Sequence, residues 1–360
     1  MNQATHSKLL KWIDVRNPIG MVFLIGLLCW LVGCATRPAL TSKLNEFIQF
    51  AKHTSEYRAN EIEVPRSEKA IAITRAYKKW VEHAAVGGLA ERTTDELLLL
   101  YDANSWLISY NPAPMHVRDQ HQVFDELTRR GVAKTMHATG LYDDMVRARL
   151  FDDARALHLV YPHVSKELLP QTRVAADAED GKPSAWTLLA DDRAIIRRPA
   201  AFAKGWQMVI VSHPFCNPSR RAAADIFADS VLADRLKGHM LWLAPQDSNL
   251  SYDGFAKWNQ MYPNAQHAIV HRAAEWPLPN FSQTPIFYFL RDGVIQEQLI
   301  GWGREGDDKT KLIMALDRLT GSPAQQLVTV ANLVFILFCK MQISIIGKWP
   351  QRQVSGSSAS

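Results

Sequence analysis

The chemistry-bearing stretch of this chain is Val209-Ile-Val-Ser-His-Pro-Phe-Cys-Asn-Pro-Ser-Arg-Arg-Ala-Ala-Ala-Asp225. An apolar run is followed by Pro214, then by an alanine-rich stretch opened by Pro218. This predicts a strand that turns sharply into a helix, with Cys216 at the helix N-terminus. Unpaired backbone N–H groups and the positive end of the helix dipole favour a thiolate over a thiol there. A thiolate attacks a disulfide sulfur to give a mixed disulfide, and a peroxide to give a sulfenic acid. His213, three residues upstream, adds positive charge if it points inward; otherwise it sits beside the strand end without a role. Ser219, three residues downstream, offers a hydroxyl that can donate to the thiolate but cannot resolve a mixed disulfide. Resolution must then come from the substrate's own thiol, a small thiol or a partner protein. That favours isomerisation, monothiol reduction or holding of substrates over net oxidation.

Little else in the chain points to chemistry. Cys29, Cys34 and Cys339 lie in apolar segments near the two ends, and no pair of cysteines has metal-ligand spacing. No Ser-His-Asp context, glycine-rich phosphate loop or paired-His motif stands out. Asp152-Asp153 and Asp191-Asp192 read as helix-surface and turn residues. No cofactor and no metal are expected. The net charge is +5 over 360 residues, and Lys8, Lys11 and Arg16 against Asp14 account for part of it. With no basic stripe interleaved with aromatics, nucleic acid is not an expected partner.

These basic residues precede an uncharged apolar run from Ile19 to Gly33. The run has signal-peptide length and is shorter than the ~20 residues of a membrane-spanning helix. Its end, Leu31-Val32-Gly33-Cys34, resembles the bacterial lipobox, in which the cysteine becomes the lipidated first residue of the mature protein. An uncleaved anchor with an ordinary Cys34 thiol is the alternative. Both place the body of the chain outside the cytoplasm. The lipobox resemblance implies a cell-envelope protein anchored through lipid on Cys34 and facing the periplasm. By the same resemblance, Ala35 after the cysteine favours the outer membrane. More than one acyl chain makes such an anchor stable.

The sequence divides into a signal peptide (1–33), a tether (34–45), a helical region (46–168), an α/β domain (185–321) and a hydrophobic C-terminal extension (322–360). In the helical region, Ser67 to Val81 spaces Ala70, Ile73, Tyr77 and Trp80 along one face. Thr93-Thr-Asp-Glu96 is a capping-type start to an apolar run. His116 to Arg130 is amphipathic and stops at Gly131, and Leu141 to Leu157 reads as two helices split near Arg149-Leu150. Small-residue and aromatic placement here resembles a tetratricopeptide helical hairpin in one or two degenerate units; an irregular bundle is the alternative.

Beyond residue 170, Asp191-Asp192 is flanked by two strands like a hairpin. Strands and helices then alternate: strand Gln207 to Ser212, helix Ser219 to Leu236, strand Gly238 to Ala244, helix Tyr252 to Met261 and strand His267 to His271. Thr284 to Leu290 and Val294 to Ile300 form a hairpin around Arg291-Asp-Gly293, and Asp307 to Thr320 is a closing helix.

This order over about 185–321 resembles the thioredoxin superfamily, in a monothiol Cys-x-x-Ser form. Phe215-Cys216-Asn217-Pro218-Ser219 stands against the family's Trp-Cys-Gly-Pro-Cys. Thr284-Pro285 stands where the family has a cis-proline facing the thiol, and Leu299-Ile-Gly-Trp302 matches the end of its terminal hairpin. The implied fold is a central mixed sheet flanked by helices, preceded by an all-α region. The implied catalytic residues are Cys216, Ser219 and Pro285, with Thr284, Phe215 and Pro218 meeting substrate. The Thr284 backbone would pair with an extended chain, so the partner is a protein substrate. Ser219 departs from the resolving cysteine, Phe215 from the tryptophan and Asn217 from the glycine. A peroxidase of this superfamily would carry Pro-x-x-x-Thr-x-x-Cys, which Val209 to Phe215 does not match.

A thioredoxin fold with a relic thiol, kept to bind an envelope protein, is the other functional reading. The C-terminal Leu327 to Ile346 segment, interrupted by Lys340, is open between a membrane-spanning helix, a helix packed on the domain and an appended extension.

Overall fold

The structure, a computed structural model, describes residues 40–321 apart from 57–65, 83–87, 190–191 and 305. The expected signal peptide, Cys34 and the C-terminal extension lie outside the described residues. Among the described residues, no helix is long and apolar enough to cross a membrane. The chain divides into two compact units, Met1–Asp144 and Met145–Ser360.

The first unit is helical: α1 (Leu40–Ser55), α2 (Arg66–Tyr77), α3 (Thr94–Tyr110), α4 (Pro114–Arg129) and α5 (Thr135–Arg147), which runs three residues past the division. Helix α1 begins inside the segment expected as a tether. Leu40, Leu44, Phe47 and Ala51 recur at helical spacing and bury one stripe, which outweighs the polar residues between them. Thr93 and Glu96 form a reciprocal capping box at the start of α3. Pro114 opens α4, and Gly131 (φ +69°) supplies the left-handed residue that ends it.

The second unit holds α6 (Phe151–Val160) and an eight-stranded sheet with the remaining helices. Arg149 at φ +65° makes the turn into α6. The strands are β1 (Gln171–Val174), β2 (Ser184–Leu189), β3 (Ala194–Pro199), β4 (Trp206–Val211), β5 (Met240–Ala244), β6 (His267–Val270), β7 (Ile286–Arg291) and β8 (Val294–Ile300). Their order across the sheet is β1-β3-β2-β6-β5-β4-β7-β8. Strands β4, β5 and β6 are parallel neighbours, β7 is antiparallel to both β4 and β8, and β2 is antiparallel to β3 and β6. The sheet is therefore mixed.

The remaining α-helices of this unit are α7 (Asn217–Ala228), α8 (Ser230–Leu236), α9 (Tyr252–Met261) and α10 (Asp307–Thr320). Strand residues alternate between the sheet's two faces. On one face Met208, Ile210, Trp242, Phe287 and Phe289 pack with Ala222 and Ile226 of α7 and Leu312 and Leu316 of α10. On the other, Val209, Val211, Leu243 and Tyr288 pack with Trp276, Leu278 and Phe281. Strands β4 and β7 are apolar along their length because both faces are covered.

Two elements differ from the sequence expectation. The helix expected from Ser219 to Leu236 is broken at Asp229, whose carboxylate accepts Leu232 N–H at 3.1 Å and caps α8. Strand β1, short and mostly exposed at the sheet edge, has no apolar alternation to announce it.

Candidate functional site

Strand β4 delivers the chain to the end of the sheet at Ser212, and His213-Pro214-Phe215 turns it into α7. The turn closes with Cys216 N–H donating to His213 O at 3.0 Å. Cys216 is the N-cap residue of α7, extended at φ −83° and ψ 118°, and its carbonyl takes the first helical bond from Arg220 N–H at 3.0 Å. Pro218 falls in the first helical turn, where its missing N–H costs nothing. The expected thiol at a helix N-terminus is thus in place, free and half-buried.

From 68 residues away in sequence, Thr284 meets this thiol. The Thr284–Pro285 peptide bond is cis, and Cys216 Sγ lies 3.1 Å from Thr284 O. A thiol donates to a carbonyl, whereas a thiolate at that distance opposes it. The contact is the one a thiol S–H makes with a carbonyl. Pro285 O accepts Gly301 N–H at 2.8 Å, which ties the turn to the end of β8. No hydrogen bond within the described residues uses Thr284 N–H.

Ser219 is fully buried, and its Oγ accepts His213 N–H at 3.4 Å. Its hydroxyl oxygen thus has a backbone partner in the turn, and among the described residues it makes no hydrogen bond to the sulfur it could have reached. Phe215 is 47% exposed beside the thiol. Its ring rests on Gly254 so closely that a Cβ there would lie 2.2 Å from Phe215 Cζ. Only a residue without Cβ admits the ring in this seat.

His213 does point inward, but not as a source of positive charge. It is buried, and desolvation lowers its pKa against the opposing pull of Asp247 and the Asn249 carbonyl. Its Nδ1 accepts Phe215 N–H at 3.3 Å, and its Nε2 lies 3.2 Å from Asn249 O and 3.8 Å from the Asp247 carboxylate. Beneath it, His267 Nε2 and Ser212 Oγ pair at 2.6 Å, and the His267 ring packs against Trp258 at 4.6 Å and Phe255 at 5.7 Å. Burial, then the neighbouring His213, pushes His267 down to about 3. The 247–254 segment that contacts His213 and Phe215 was not identified from sequence.

A second group of polar residues lies elsewhere in this unit. Asp180, His271 and Glu275 each bring one ligand-type atom within 4.8 Å of the others. Trp186 Nε1–H donates to His271 Nδ1 at 3.2 Å. An indole nitrogen can only donate, so Nδ1 keeps its lone pair and neutral His271 carries its proton on Nε2. Asp180 is held by Arg197 at 2.7 Å, and Arg272 stands 3.9 Å from Glu275. Desolvation, followed by the charges of Arg197, Arg272 and Arg149, pushes His271 down to about 3. Arginines already stand against the carboxylates, and with the Trp186 indole donating to Nδ1 the His271 Nε2 carries the proton and has no lone pair to offer, so the group does not fit a bound cation.

Neither a family model, nor a curated protein, nor a solved structure matches this chain.

Proposed function

We propose that the second unit is a thioredoxin-like domain and that Cys216 performs thiol–disulfide exchange as a lone thiol. One observation carries the reading: Cys216 caps a helix N-terminus and its sulfur faces Thr284 O across a cis Thr284–Pro285 bond. The β5-β4-β7-β8 half of the sheet supports it, with two parallel strands, an antiparallel hairpin and the thiol at the end of β4.

Cys216 loses its proton to solvent and attacks one sulfur of a substrate disulfide. The S–S bond breaks, a Cys216–substrate disulfide forms, and the substrate's other sulfur leaves as a thiolate. A second thiol, from the substrate or from solution, reverses the linkage and frees Cys216. Ser219 and Pro218 shape the helix start, Pro285 holds the opposing turn, and the Thr284 N–H and the Phe215 ring meet the substrate chain. The substrate is a protein disulfide in the bacterial envelope, and lipid on Cys34 anchors the chain facing the periplasm. Globomycin should block maturation at Cys34, and a precursor indifferent to the drug refutes the anchor.

The thiol's contact with Thr284 O, which suits a protonated sulfur, favours a second reading: a thioredoxin-fold scaffold that binds an envelope protein without exchange. Alkylation trapping in cells followed by peptide mass spectrometry separates the two. Exchange predicts adducts at Cys216 that reductant releases and that the Cys216→Ser variant lacks. A folded chain whose Cys216 carries no adduct refutes it.

A further inference from the structure

The hydrogen bonds around His213 fix its tautomer. Phe215 N–H is a backbone donor, so the Nδ1 it reaches at 3.3 Å must hold a lone pair. Asn249 O is an acceptor, so the Nε2 it faces at 3.2 Å must carry the proton. Both contacts are satisfied only by the neutral Nε2–H imidazole. The ring therefore joins two segments: the Phe215-Cys216 turn through Nδ1 and the loop before α9 through Nε2. A third contact reinforces the turn, since His213 N–H reaches the Oγ of buried Ser219 at 3.4 Å.

Protonation changes one of these contacts. A second proton on the ring goes to Nδ1, which then opposes Phe215 N–H donor to donor. The Nε2 side keeps its partners, because Asn249 O and the Asp247 carboxylate 3.8 Å away both accept a proton donor. The charged and polar groups facing the ring are few. Asp247 and Asn249 come from the loop before α9, neutral His267 from β6, and Ser219 from α7. Phe215 and the Phe255 ring of α9 close the remaining sides, at 5.3 and 5.4 Å between centroids. Acidification thus detaches the Cys216 side of the ring and leaves the Asp247 side attached.

We propose that neutral His213 is a positioning residue that holds the Phe215-Cys216 turn, and that its protonation releases the turn and gives exchange at Cys216 its own acid limit. The proposal rests on the reading of Cys216 as a thiol–disulfide site. Its first part, the anchor, can be measured without that reading.

The test uses the full-length chain and 2-hydroxyethyl disulfide, which carries no titrating group, as the disulfide. Labelling of Cys216 is followed by peptide mass spectrometry, so that the other cysteines do not contribute. Below the pH at which a thiol ionises, its exchange rate falls about tenfold per pH unit. In the natural chain the slope should steepen towards about a hundredfold per unit as His213 takes its proton, because two protonations then oppose reaction. His213→Asn places an oxygen acceptor near the position of Nδ1 and does not titrate. It should react within about threefold of the natural chain at neutral pH and keep the about tenfold slope throughout. A slope that steepens in both proteins, or in neither, overturns the proposal.

Nitrogen-15 NMR of the natural chain supplies a readout that does not depend on the variant folding. It should show His213 protonated on Nε2 and bare on Nδ1, with protection of the Phe215 amide against exchange, relative to an unstructured peptide at the same pH, falling as the ring takes its second proton. An Nδ1–H tautomer, or a Phe215 amide indifferent to the titration, overturns the proposal as well. If Cys216 fails to label at every pH while the Phe215 amide is still released by acid, the exchange reading falls and the anchor stands.

Discussion

His267 makes the folded second unit sensitive to acid, and the size of the effect follows from its surroundings. The ring is fully buried, pairs with Ser212 at 2.6 Å and packs among Trp242, Trp258 and Phe255. Its pKa is pushed from 6.5 to about 3, so the folded chain keeps it neutral where the unfolded chain protonates it. The unfolded state therefore binds the extra proton between these two values. The stabilising contribution of neutral His267 is complete above pH 6.5 and is lost as pH falls below it. The loss is ~1.4 kcal/mol per pH unit, hence about 3 kcal/mol by about pH 4.5. Urea unfolding followed by tryptophan fluorescence, at about pH 7 and about pH 4.5, measures it. His267→Gln keeps a hydrogen-bonding side chain against Ser212 and does not titrate. Acidification should cost the natural chain about 3 kcal/mol more than this variant. Parallel losses in the two proteins would refute the reasoning, since the proton would then be taken up elsewhere.

Three further outcomes follow from other contacts. The Arg149 guanidinium is buried and donates to the carbonyls of Val270 (2.6 Å), His271 (3.2 Å) and Asp247 (3.2 Å). Arg149→Leu strands these acceptors and should cost about 3 kcal/mol in chemical denaturation, whereas a change under about 1 kcal/mol would show that water replaces the side chain. Gly254→Ala puts a Cβ 2.2 Å from the present place of Phe215 Cζ, so the ring must leave its seat. Half of a phenylalanine's burial is at stake, about 1 kcal/mol, and an unchanged ring position in a crystal structure of the variant would contradict the close contact. Ser219→Cys adds a second thiol in the first turn of α7. It should shorten the lifetime of a Cys216 mixed disulfide in stopped reactions by about tenfold or more without added thiol, and an unchanged lifetime would show that the buried position cannot reach the sulfur.

The amphipathic and apolar patterns carried much of the fold. Helices α9 and α10 and strand β8 run where the sequence places them, because each has clean periodicity and a clear turn at its boundary. The split expected near Arg149-Leu150 takes the form of a residue at φ +65° between the two helices. Strand β1 was not legible: four mostly exposed residues at a sheet edge need no apolar pattern, since backbone pairing with β3 defines them. Asp229 was read as part of one helix because capping and helical aspartates look alike until a particular N–H is bonded.

The site divides in the same way. Cys216 at the start of α7 follows from a strand meeting an alanine-rich helix, a local pattern. Its neighbour Thr284 came from the resemblance, because no local pattern links residues 68 positions apart. The role of His213 was out of reach for a similar reason. Its partner Asn249 lies 36 residues downstream, and although the ring points inward, burial favours its neutral form over the charged one that the sequence allowed for that orientation.

The reaction of Cys216 with a simple disulfide tests thiol–disulfide exchange at this turn most directly. Glutathione disulfide is added to the folded full-length chain at neutral pH, and glutathionylation of Cys216 is timed by peptide mass spectrometry against an unstructured peptide of the same local sequence. A helix N-terminus that presents the sulfur for exchange predicts a rate at least about tenfold above the peptide's, with full release by added thiol. A Cys216 in the folded chain that reacts no faster than the peptide contradicts the claim that this turn is built for thiol–disulfide exchange.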